Sequence, residues 1–392
     1  MNLDMLKEVG DILDGQVKNG DVVGGAVAVF KDGEQIYRRN SGFADRERGI
    51  PVRDDTIYRI YSMTKPITAA AVMILYDRGL FRLEDKLSDY IPEFAHPTVL
   101  MPDGREVPAE SEITIRQTLD MTSGLCYPDQ SYPAGRKMEE VYSEIARESD
   151  AGKRIGTLEL IRRAAKSPLA YQPGEKWMYG IGADVAGALV EVLTGMSYRD
   201  YLKKEIFEPL GMVDTDFYVP QEKMDRFSEM YIYNEESKQL ETIPWQHLGL
   251  RGFFKELPAF ESGGAGLLST IDDYKKFADM MMNRGVYGGK RILSEEAVDL
   301  ITHNNLTPSQ AETFNWDQCR GCGYSILNRC VIDLEAAGAG NLGDYGWDGW
   351  LGSYYSNDPT DKVTLIYMIQ RAGGFGSWPC LKMKEMIYKA IK

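Results

Sequence analysis

The sequence predicts a protein of the α/β (α+β) class, with one sheet built from both ends of the chain and a mostly helical lobe inserted between them. Two strand-like runs flank Asp32-Gly33, a dipeptide typical of a tight β-hairpin. Short apolar runs typical of strands return near residues 323–332, 351–357 and 362–369. The intervening chain shows helical patterns joined by long irregular connections. This order of elements indicates a discontinuous sheet domain.

Helical periodicity accounts for most of the remaining elements. The N-terminal segment MNLDMLKEVGDILDGQVKNG has the spacing of an amphipathic, acidic helix. We predict a sheet domain of residues 1–80 and 260–392, and a helical lobe of residues 81–259. Further helices are predicted near residues 115–121, 157–166, 180–195, 198–207, 271–283, 294–303 and 380–391.

The composition excludes several classes of partner. The chain has 392 residues and a formal net charge of −14, without a basic block. Nucleic acid and anionic membrane surfaces are therefore not expected as partners, because both attract clustered Lys and Arg. The sequence has no run of about 18 apolar residues, so no membrane-spanning helix is predicted. The expected partner is a small molecule, and the sequence leaves a homo-oligomer open.

The five cysteines bear on location and on metal binding. Their odd number, and an N-terminus without the features of a signal peptide, predict reduced thiols and a cytoplasmic location. Cys319 and Cys322 have the spacing of zinc ligands, and Cys330 follows nearby. A fourth ligand would have to be the distant Cys380 or His303. We prefer to interpret these residues as buried strand cysteines, and we predict no metal.

The segment GAGNLG at residues 338–343 fits a motif without its usual context. The G-x-G-x-x-G pattern binds dinucleotides where its glycines join a strand to a helix. Here DYGWDGW follows instead of a helical sequence. We therefore interpret the segment as a flexible loop.

Residues 58–66, YRIYSMTKP, contain the pattern most suggestive of chemistry. Pro66 stands just before a clear helical pattern that ends at Gly79. Because proline is tolerated in the first turn of a helix but not in its interior, the helix should begin near Ser62. Lys65 would then lie one turn later on the same side. A hydroxyl beside an amine at a helix start has the features of an activated nucleophile.

Other interpretations of this pattern are open at this point. Ser62 could be a helix cap with Lys65 in solvent, because a Ser-x-x-Lys match is expected about once by chance in a chain of this length. A Ser-His-Asp triad is recognised by geometry, and the chain contains His96, His247 and His303. However, the sequence has no G-x-S-x-G turn. If Ser62 is a nucleophile, its base is expected to be Lys65 or a tyrosine.

Several long segments carry the motifs of one known family. YRIYSMTKPITAAAVMILYDRGLFRLEDKLSDYIPEF resembles its first motif, YQPGEKWMYGIGADVAGALVEVLTG its second, and YGWDGWLGSYYSNDP its third. With ITIRQTLDMTSGL and SGGAGLLSTIDDYKKFADMMMNRG, they cover most of residues 20 to 370. On these residues the chain resembles the serine β-lactamase and penicillin-binding-protein superfamily, most closely its family VIII carboxylesterases. The resemblance implies a β-lactamase/transpeptidase-like fold, in which helices flank an antiparallel sheet.

The resemblance also implies roles for individual residues. The nucleophile falls on Ser62, and the lysine and tyrosine that act as its base fall on Lys65 and Tyr179. The backbone N–H groups of Ser62 and Trp350 would form the oxyanion hole. Esters would be cleaved through an acyl-enzyme without a metal or organic cofactor. The implied substrate-binding residues are Tyr127, Ile181, Trp347, Asp348 and Gly349.

Two departures from the family pattern favour esters over β-lactams. Ile181 stands where the usual Tyr-x-Asn motif has an asparagine that would bind the amide of a β-lactam. Trp347-Asp348-Gly349 replaces the Lys-Thr-Gly of lactamases and peptidases, so the cation that would bind a carboxylate is missing. Asp348 would repel a carboxylate if it faced the site. Because side chains alternate along a strand, the sequence leaves its orientation open.

The predicted function is therefore hydrolysis of small carboxylic esters by a serine hydrolase. A β-lactamase, a D-amino-acid peptidase or an acyltransferase of the same fold is the first alternative. The second is a catalytically silent binding or assembly protein of this fold, which the intact Ser62, Lys65 and Tyr179 disfavour. For Lys65 to act as a base, its pKa must fall from about 10.4 toward neutrality through burial or a neighbouring charge.

Overall fold

The first and last strands of the chain pair with each other inside one large sheet. The computed structural model describes residues 1–243, 247–250, 254–373 and 378–392. In chain order the strands are β1 (Gly24–Lys31), β2 (Glu34–Asp45), β3 (Ile50–Pro51), β4 (Tyr58–Arg59), β5 (Thr98–Leu100), β6 (Glu106–Pro108), β7 (Tyr231–Asn234), β8 (Gln239–Thr242), β9 (Leu268–Ser269), β10 (Val286–Tyr287), β11 (Lys290–Arg291), β12 (Cys322–Ser325), β13 (Asn328–Val331), β14 (Tyr345–Asp348), β15 (Tyr354–Asp358) and β16 (Val363–Ile369).

Helices occupy both ends of the chain and most of its middle. A π-helical segment, Lys203–Phe207, connects two of them, and the 3-10 turn Tyr61–Met63 precedes another. The α-helices are α1 (Leu3–Lys18), α2 (Thr64–Asp77), α3 (Ile115–Leu119), α4 (Pro133–Asp150), α5 (Thr157–Ala164), α6 (Gly182–Thr194), α7 (Tyr198–Leu202), α8 (Glu208–Leu210), α9 (Ile271–Met282), α10 (Glu295–Thr302), α11 (Pro308–Ala311), α12 (Leu334–Ala337) and α13 (Trp378–Ile391).

The large sheet has eight strands in the order β12-β13-β14-β15-β16-β1-β2-β3, paired antiparallel. Its first five strands come from the C-terminal part of the chain and its last three from the N-terminal part. Asp32 and Gly33 connect β1 to β2 with φ angles of 53° and 85°, the positive values that a two-residue hairpin turn requires. The predicted antiparallel sheet with flanking helices is confirmed.

Alternate residues of β1 belong to two different layers of the core. Val27 and Val29 pack with α1 and α13 on one face of the sheet. Ala26 and Ala28 belong to the largest core cluster, which contains α2 on the other face. Residues 64–75 of α2 are all buried, as expected for a helix that is apolar around its whole circumference. This central helix carries the Ser-x-x-Lys pattern at its N-terminal end.

The helical part of the chain has its own apolar cluster. Its buried residues lie between Leu87 and Phe260 and include parts of α4, α5 and α6. Other residues of α6, such as Ala183 and Leu189, pack in the largest cluster with α2. Because α6 contributes to both clusters, the bounds of the lobe at residues 81–259 stay a prediction.

The main differences from the predicted elements concern two strands and one long helix. Residues 323–332 form the hairpin β12–β13 and not a single strand, because the chain turns at the buried Leu327, which has a φ of 54°. The strand predicted at residues 351–357 begins at Tyr354, because a turn precedes it. Helix α4, of 18 residues, was not among the predicted elements. The other predicted helices are present as α1, α3, α5, α6, α7, α9, α10 and α13.

The remaining motifs have ordinary structural settings. The GAGNLG segment follows α12 and leads into β14 without a helix. The five cysteines are free thiols. Within the part of the chain that the structure describes, no three His, Cys, Asp or Glu side chains are grouped to hold a metal ion. No helix among the described residues is sufficiently long and apolar to cross a membrane.

Two glycine substitutions should change the stability in opposite directions. Gly33→Ala should lower the free energy of unfolding by about 1–2 kcal/mol, because a side chain is strained at positive φ. Gly15→Ala should raise it by about 0.5–1 kcal/mol, because Gly15 lies in α1 with open space around a new Cβ. Urea unfolding followed by circular dichroism measures both variants. A free energy of unfolding that is unchanged or raised in Gly33→Ala would contradict the hairpin turn.

Candidate active site

Ser62 lies in the 3-10 turn that leads directly into α2. Pro66 is the third residue of α2, a position whose missing N–H has no acceptor within the helix. The helix therefore begins where the proline pattern predicts. Ser62 is 8% exposed and Lys65 is completely buried, so both side chains lie at the inner end of a cleft and not on the surface.

Two side chains converge on the hydroxyl of Ser62. Lys65 Nζ donates a hydrogen bond to Ser62 Oγ at 3.1 Å. The hydroxyl of Tyr179, which is 117 residues away in the chain, donates to the same oxygen at 2.7 Å. The interpretation of Ser62 as a helix cap with a solvated lysine is therefore wrong, since the hydroxyl caps no backbone group of α2 and Lys65 is buried.

Burial determines the protonation of Lys65. Its Nζ also donates to the carbonyl oxygen of Gly264 at 2.8 Å and to the hydroxyl of Tyr127 at 3.2 Å. Desolvation lowers the pKa of Lys65 to about 7, although the nearby carboxylate of Asp184 favours the charged form. A neutral amine beside Ser62 is thus available near pH 7, as the base prediction requires.

Tyr179 is held by an aromatic environment. Its ring lies 5.0 Å from that of Trp316 and 5.7 Å from that of Trp347, centroid to centroid. The indole Nε1 of Trp347 donates to the Tyr179 hydroxyl at 3.2 Å. Burial raises the pKa of Tyr179, so this hydroxyl stays protonated at neutral pH. Tyr179 therefore presents a proton to Ser62, whereas neutral Lys65 can present a lone pair to it.

The backbone is strained immediately before Ser62. Tyr61 has a φ of 42°, although it is not a glycine, and its side chain is buried. Such a conformation costs about 1–3 kcal/mol and persists only where surrounding contacts impose it. The ring of Tyr61 packs 5.2 Å from that of Trp350. The same packing joins the Ser62 turn to the segment that follows β14.

A cavity of about 330 Å³ opens at Ser62. Its wall includes four of the predicted substrate-binding residues, Tyr127, Trp347, Asp348 and Gly349, together with Trp350. Tyr179, a predicted catalytic residue, also lines the cavity. The remaining lining residues were not predicted to bind substrate, and they are Pro128, His247, Leu248, Trp316, Gln318 and Cys319. The wall is therefore largely aromatic, and Asp348 and His247 are its acidic and basic side chains among the residues described.

Ile181 is a correction to the predicted substrate-binding set. Its side chain is completely buried in the apolar cluster of the helical region and does not line the cavity. The reason is that Ile181 is the N-cap residue of α6 and points into the packing of that helix. Ile181 therefore provides no polar group to a substrate in the cavity.

Asp348 does not present a free charge to the cavity. It forms an ion pair with Arg329 of the neighbouring strand β13, with an N–O distance of 2.8 Å. Arg329 is 7% exposed, and its guanidinium lies 5.8 Å from the centre of the Trp347 ring. The predicted repulsion of carboxylates by Asp348 is therefore weakened, because a buried cation compensates its charge.

His247 is the histidine of the cavity wall. Its ring stacks on that of Trp350 at a centroid distance of 4.1 Å, and burial lowers its pKa to about 4. His96 and His303 are exposed and lie outside the cavity. The two groups bonded to Ser62 Oγ are Lys65 and Tyr179, which favours these residues over a histidine as its base.

One buried carboxylate at this site was missed in the sequence. Asp184 belongs to the first turn of α6, is 2% exposed and interacts with Lys65. The signal was present, since Asp184 interrupts the apolar run GADVAGALV five residues after Tyr179. The place of Trp316 in the cavity wall had no comparable signal in the sequence, because Trp316 lies outside all three motifs.

The fold agrees with the proteins to which the chain is similar in sequence. A family model described as Beta-lactamase matches residues 9–379, and the chain belongs to this family. Protein Rv1367c of Mycobacterium tuberculosis is 30% identical over 366 residues, covering 91% of this chain and 88% of the relative. Esterase EstB of Burkholderia gladioli is 29% identical over 390 residues, covering 96% and 93%.

A solved structure supports the same conclusion. EstCE1, described as a hydrolase with promiscuous acyltransferase activity, superposes with a TM-score of 0.79 at 25% identity, covering 98% of each chain. The predicted family and β-lactamase/transpeptidase-like fold are therefore confirmed, and the protein is an enzyme of this fold.

Breaking the ion pair beside the cavity should destabilise the protein. Arg329→Met should lower the free energy of unfolding by about 2–3 kcal/mol, less than for a fully buried pair because Asp348 is 27% exposed. Adding Asp348→Asn should restore part of this loss, since no unpaired charge remains. Arg320→Met, at an exposed pair with Asp317, is the control. Chemical denaturation measures all three variants, and equal losses for the single and double variants would contradict the pairing.

Proposed function

We propose that the protein is a serine carboxylesterase that hydrolyses small neutral esters through an acyl-enzyme on Ser62. The observation that carries this proposal is the pair of hydrogen bonds that Ser62 Oγ receives from a buried amine and a partly buried phenol. The esterase and hydrolase names of EstB and EstCE1 support the reaction class.

Acylation follows from the complementary protonation states of the two neighbours. Neutral Lys65 takes the proton of Ser62 as its oxygen attacks the ester carbonyl. Tyr179 passes its proton to the departing alcohol as the ester C–O bond breaks. Protonated Lys65, whose Nζ lies 4.5 Å from the centre of the Tyr179 ring, then restores the phenol. The proposed oxyanion hole consists of the backbone N–H groups of Ser62 and Trp350.

Deacylation reverses these roles with water in place of the alcohol. Water loses a proton to the same base as it attacks the acyl carbon. Ser62 leaves with a proton, and the product is a carboxylic acid. An alcohol that replaced water would instead give a new ester, so acyl transfer is the second candidate, favoured by the description of EstCE1.

The cavity supports neutral substrates over anionic ones. Trp347 replaces the cation of the usual third motif, and Arg329, whose guanidinium lies 5.8 Å from the centre of its ring, is already paired with Asp348. A carboxylate that entered this aromatic wall would lose its hydration without gaining a charged partner. A neutral ester loses little on entry. We therefore expect β-lactams and peptides with a free carboxylate to be poorer substrates than simple esters.

The first experiment tests the nucleophile. Treatment with a fluorophosphonate should add one label per chain, detected by intact-protein mass spectrometry, because phosphorus accepts the Ser62 oxygen as fluoride leaves. The variant Ser62→Ala should show no label, and Ser123→Ala, at another buried serine, should be labelled like wild type. A label that persists in Ser62→Ala would contradict the assignment, and an unlabelled wild type would support the catalytically silent alternative.

The second experiment tests substrate charge. p-Nitrophenyl butyrate should have a higher kcat/KM than benzylpenicillin and than esters with a carboxylate next to the scissile bond. The expected difference is about tenfold to a hundredfold, the value of one missing charge-assisted hydrogen bond. Trp347→Lys should shift the preference toward the anionic substrates, and Trp347→Phe is its uncharged control. A wild-type preference for benzylpenicillin would replace the esterase proposal with the lactamase alternative.

A further inference from the structure

We propose that Asp184 is a positioning residue for Lys65, which fixes the carbonyl group that accepts from Lys65 and sets the pH above which Lys65 acts as a base. This inference rests on the proposed role of Lys65 in activating Ser62. It adds a fourth side chain to the set of Ser62, Lys65 and Tyr179. Asp184 itself does not line the cavity.

The carboxylate of Asp184 organises the backbone around Gly264. Its Oδ1 accepts a hydrogen bond from the backbone N–H of Gly264 at 3.0 Å and another from Ser262 Oγ at 2.6 Å. Both bonds are internal, since Asp184 and Ser262 are each 2% exposed. An acidic side chain in the first turn of α6 is also favoured by the helix dipole.

Gly264 transmits this order to Lys65. Its N–H is bonded to Asp184, and its carbonyl oxygen accepts from Lys65 Nζ at 2.8 Å. A Cβ at this position would lie 2.6 Å from the hydroxyl of Tyr127 and 3.0 Å from Asp184 Oδ2, so the close approach requires glycine. Lys65 is thus hydrogen-bonded to the carbonyl group of Gly264, and Asp184 in turn fixes the position of Gly264.

The charge of Asp184 acts on the same amine. A buried carboxylate favours the protonated form of Lys65, and it therefore opposes the desolvation that lowers the pKa of Lys65. Lys65 in turn lowers the pKa of Asp184, which burial raises. Without the carboxylate, the amine would lose its proton at a lower pH and would be a weaker base. The balance between burial and Asp184 is what places Lys65 near neutrality.

Among the described residues, several phenols also lie around the pair. Tyr127 and Tyr179 face Lys65, and two further tyrosines interact with Asp184. Burial raises the pKa of each phenol, so all of them stay neutral between pH 5 and 9. These tyrosines are Tyr127, Tyr142, Tyr179 and Tyr198. Asp184 is therefore the charge that changes the titration of Lys65 in this pH range.

Asp184→Asn separates charge from geometry. An amide oxygen in the place of Oδ1 can accept both existing hydrogen bonds, while the negative charge is lost. The acid limb of the pH profile of kcat/KM with p-nitrophenyl butyrate should move to lower pH by about 1–3 units. Asp184→Ala removes charge and hydrogen bonds together, and its plateau activity should fall at least tenfold below that of Asp184→Asn. An unmoved acid limb in a folded Asp184→Asn variant would overturn the proposal.

A matched control is another buried carboxylate. Asp120 is 4% exposed and is bonded to Asn305, and Lys65 is not among the groups that shift its pKa. Asp120→Asn should leave the acid limb where the wild type has it. A comparable shift in this variant would show that any buried carboxylate produces the effect, and would overturn the specific role of Asp184.

The labelling rate gives a readout that does not depend on deacylation. The rate of fluorophosphonate labelling of Ser62 should show the same acid limb in wild type and the same shift in Asp184→Asn. No labelling of wild type would refute the proposed function, whereas normal labelling without a shift would refute only the role of Asp184. If Asp184→Asn does not fold, Gly264→Ala displaces the same peptide and keeps the charge. It should label at least tenfold more slowly, and a wild-type rate would overturn the positional role.

Discussion

The burial of the Lys65 amine beside Ser62 is the constraint on which the rest of the site depends. A buried amine has a pKa near neutrality only if the lowering of its pKa by burial is balanced by neighbouring groups that raise it. The same burial costs stability. The unfolded chain binds a proton at Lys65 that the folded chain releases above its pKa of about 7. The free energy of unfolding therefore rises with pH between about 7 and the ordinary lysine value near 10.4. Below pH 7 the burial of protonated Lys65 destabilises the folded chain by its full amount.

The surrounding structure fixes the position of the Lys65 amine and of the groups around Ser62. The buried residues 64–75 of α2 fix Lys65. The strained Tyr61 lies in the turn before this helix, and its ring packs against Trp350 at the cavity wall. The aromatic wall orients Tyr179 through Trp347. The ion pair of Arg329 and Asp348 supports the strand that carries Trp347 without adding a net charge to the cavity. In the proposed mechanism, the first layer activates the serine and the second favours neutral substrates.

Local patterns in the sequence predicted more than long-range ones. The spacing of Ser62, Lys65 and Pro66 predicted the helix start, because all three lie within one turn. Tyr179 could be identified only through family resemblance, since 117 residues separate it from Ser62. Ile181 was assigned wrongly because the direction of a side chain before α6 depends on tertiary packing. Helix α4 was missed although its buried Ala134, Met138, Tyr142 and Ile145 have helical spacing. No local signal placed Trp316 at the site.

A direct titration of Lys65 tests this account most sharply. The carbon-13 resonance of its Cε, in protein labelled at lysine and assigned by its absence from Lys65→Met, can be followed between pH 5 and 11. We expect a midpoint near 7, well below the ordinary lysine value near 10.4. A midpoint near 10.4, together with normal folding of the labelled protein, would contradict it, because Lys65 would then be protonated at neutral pH and could not take the proton of Ser62.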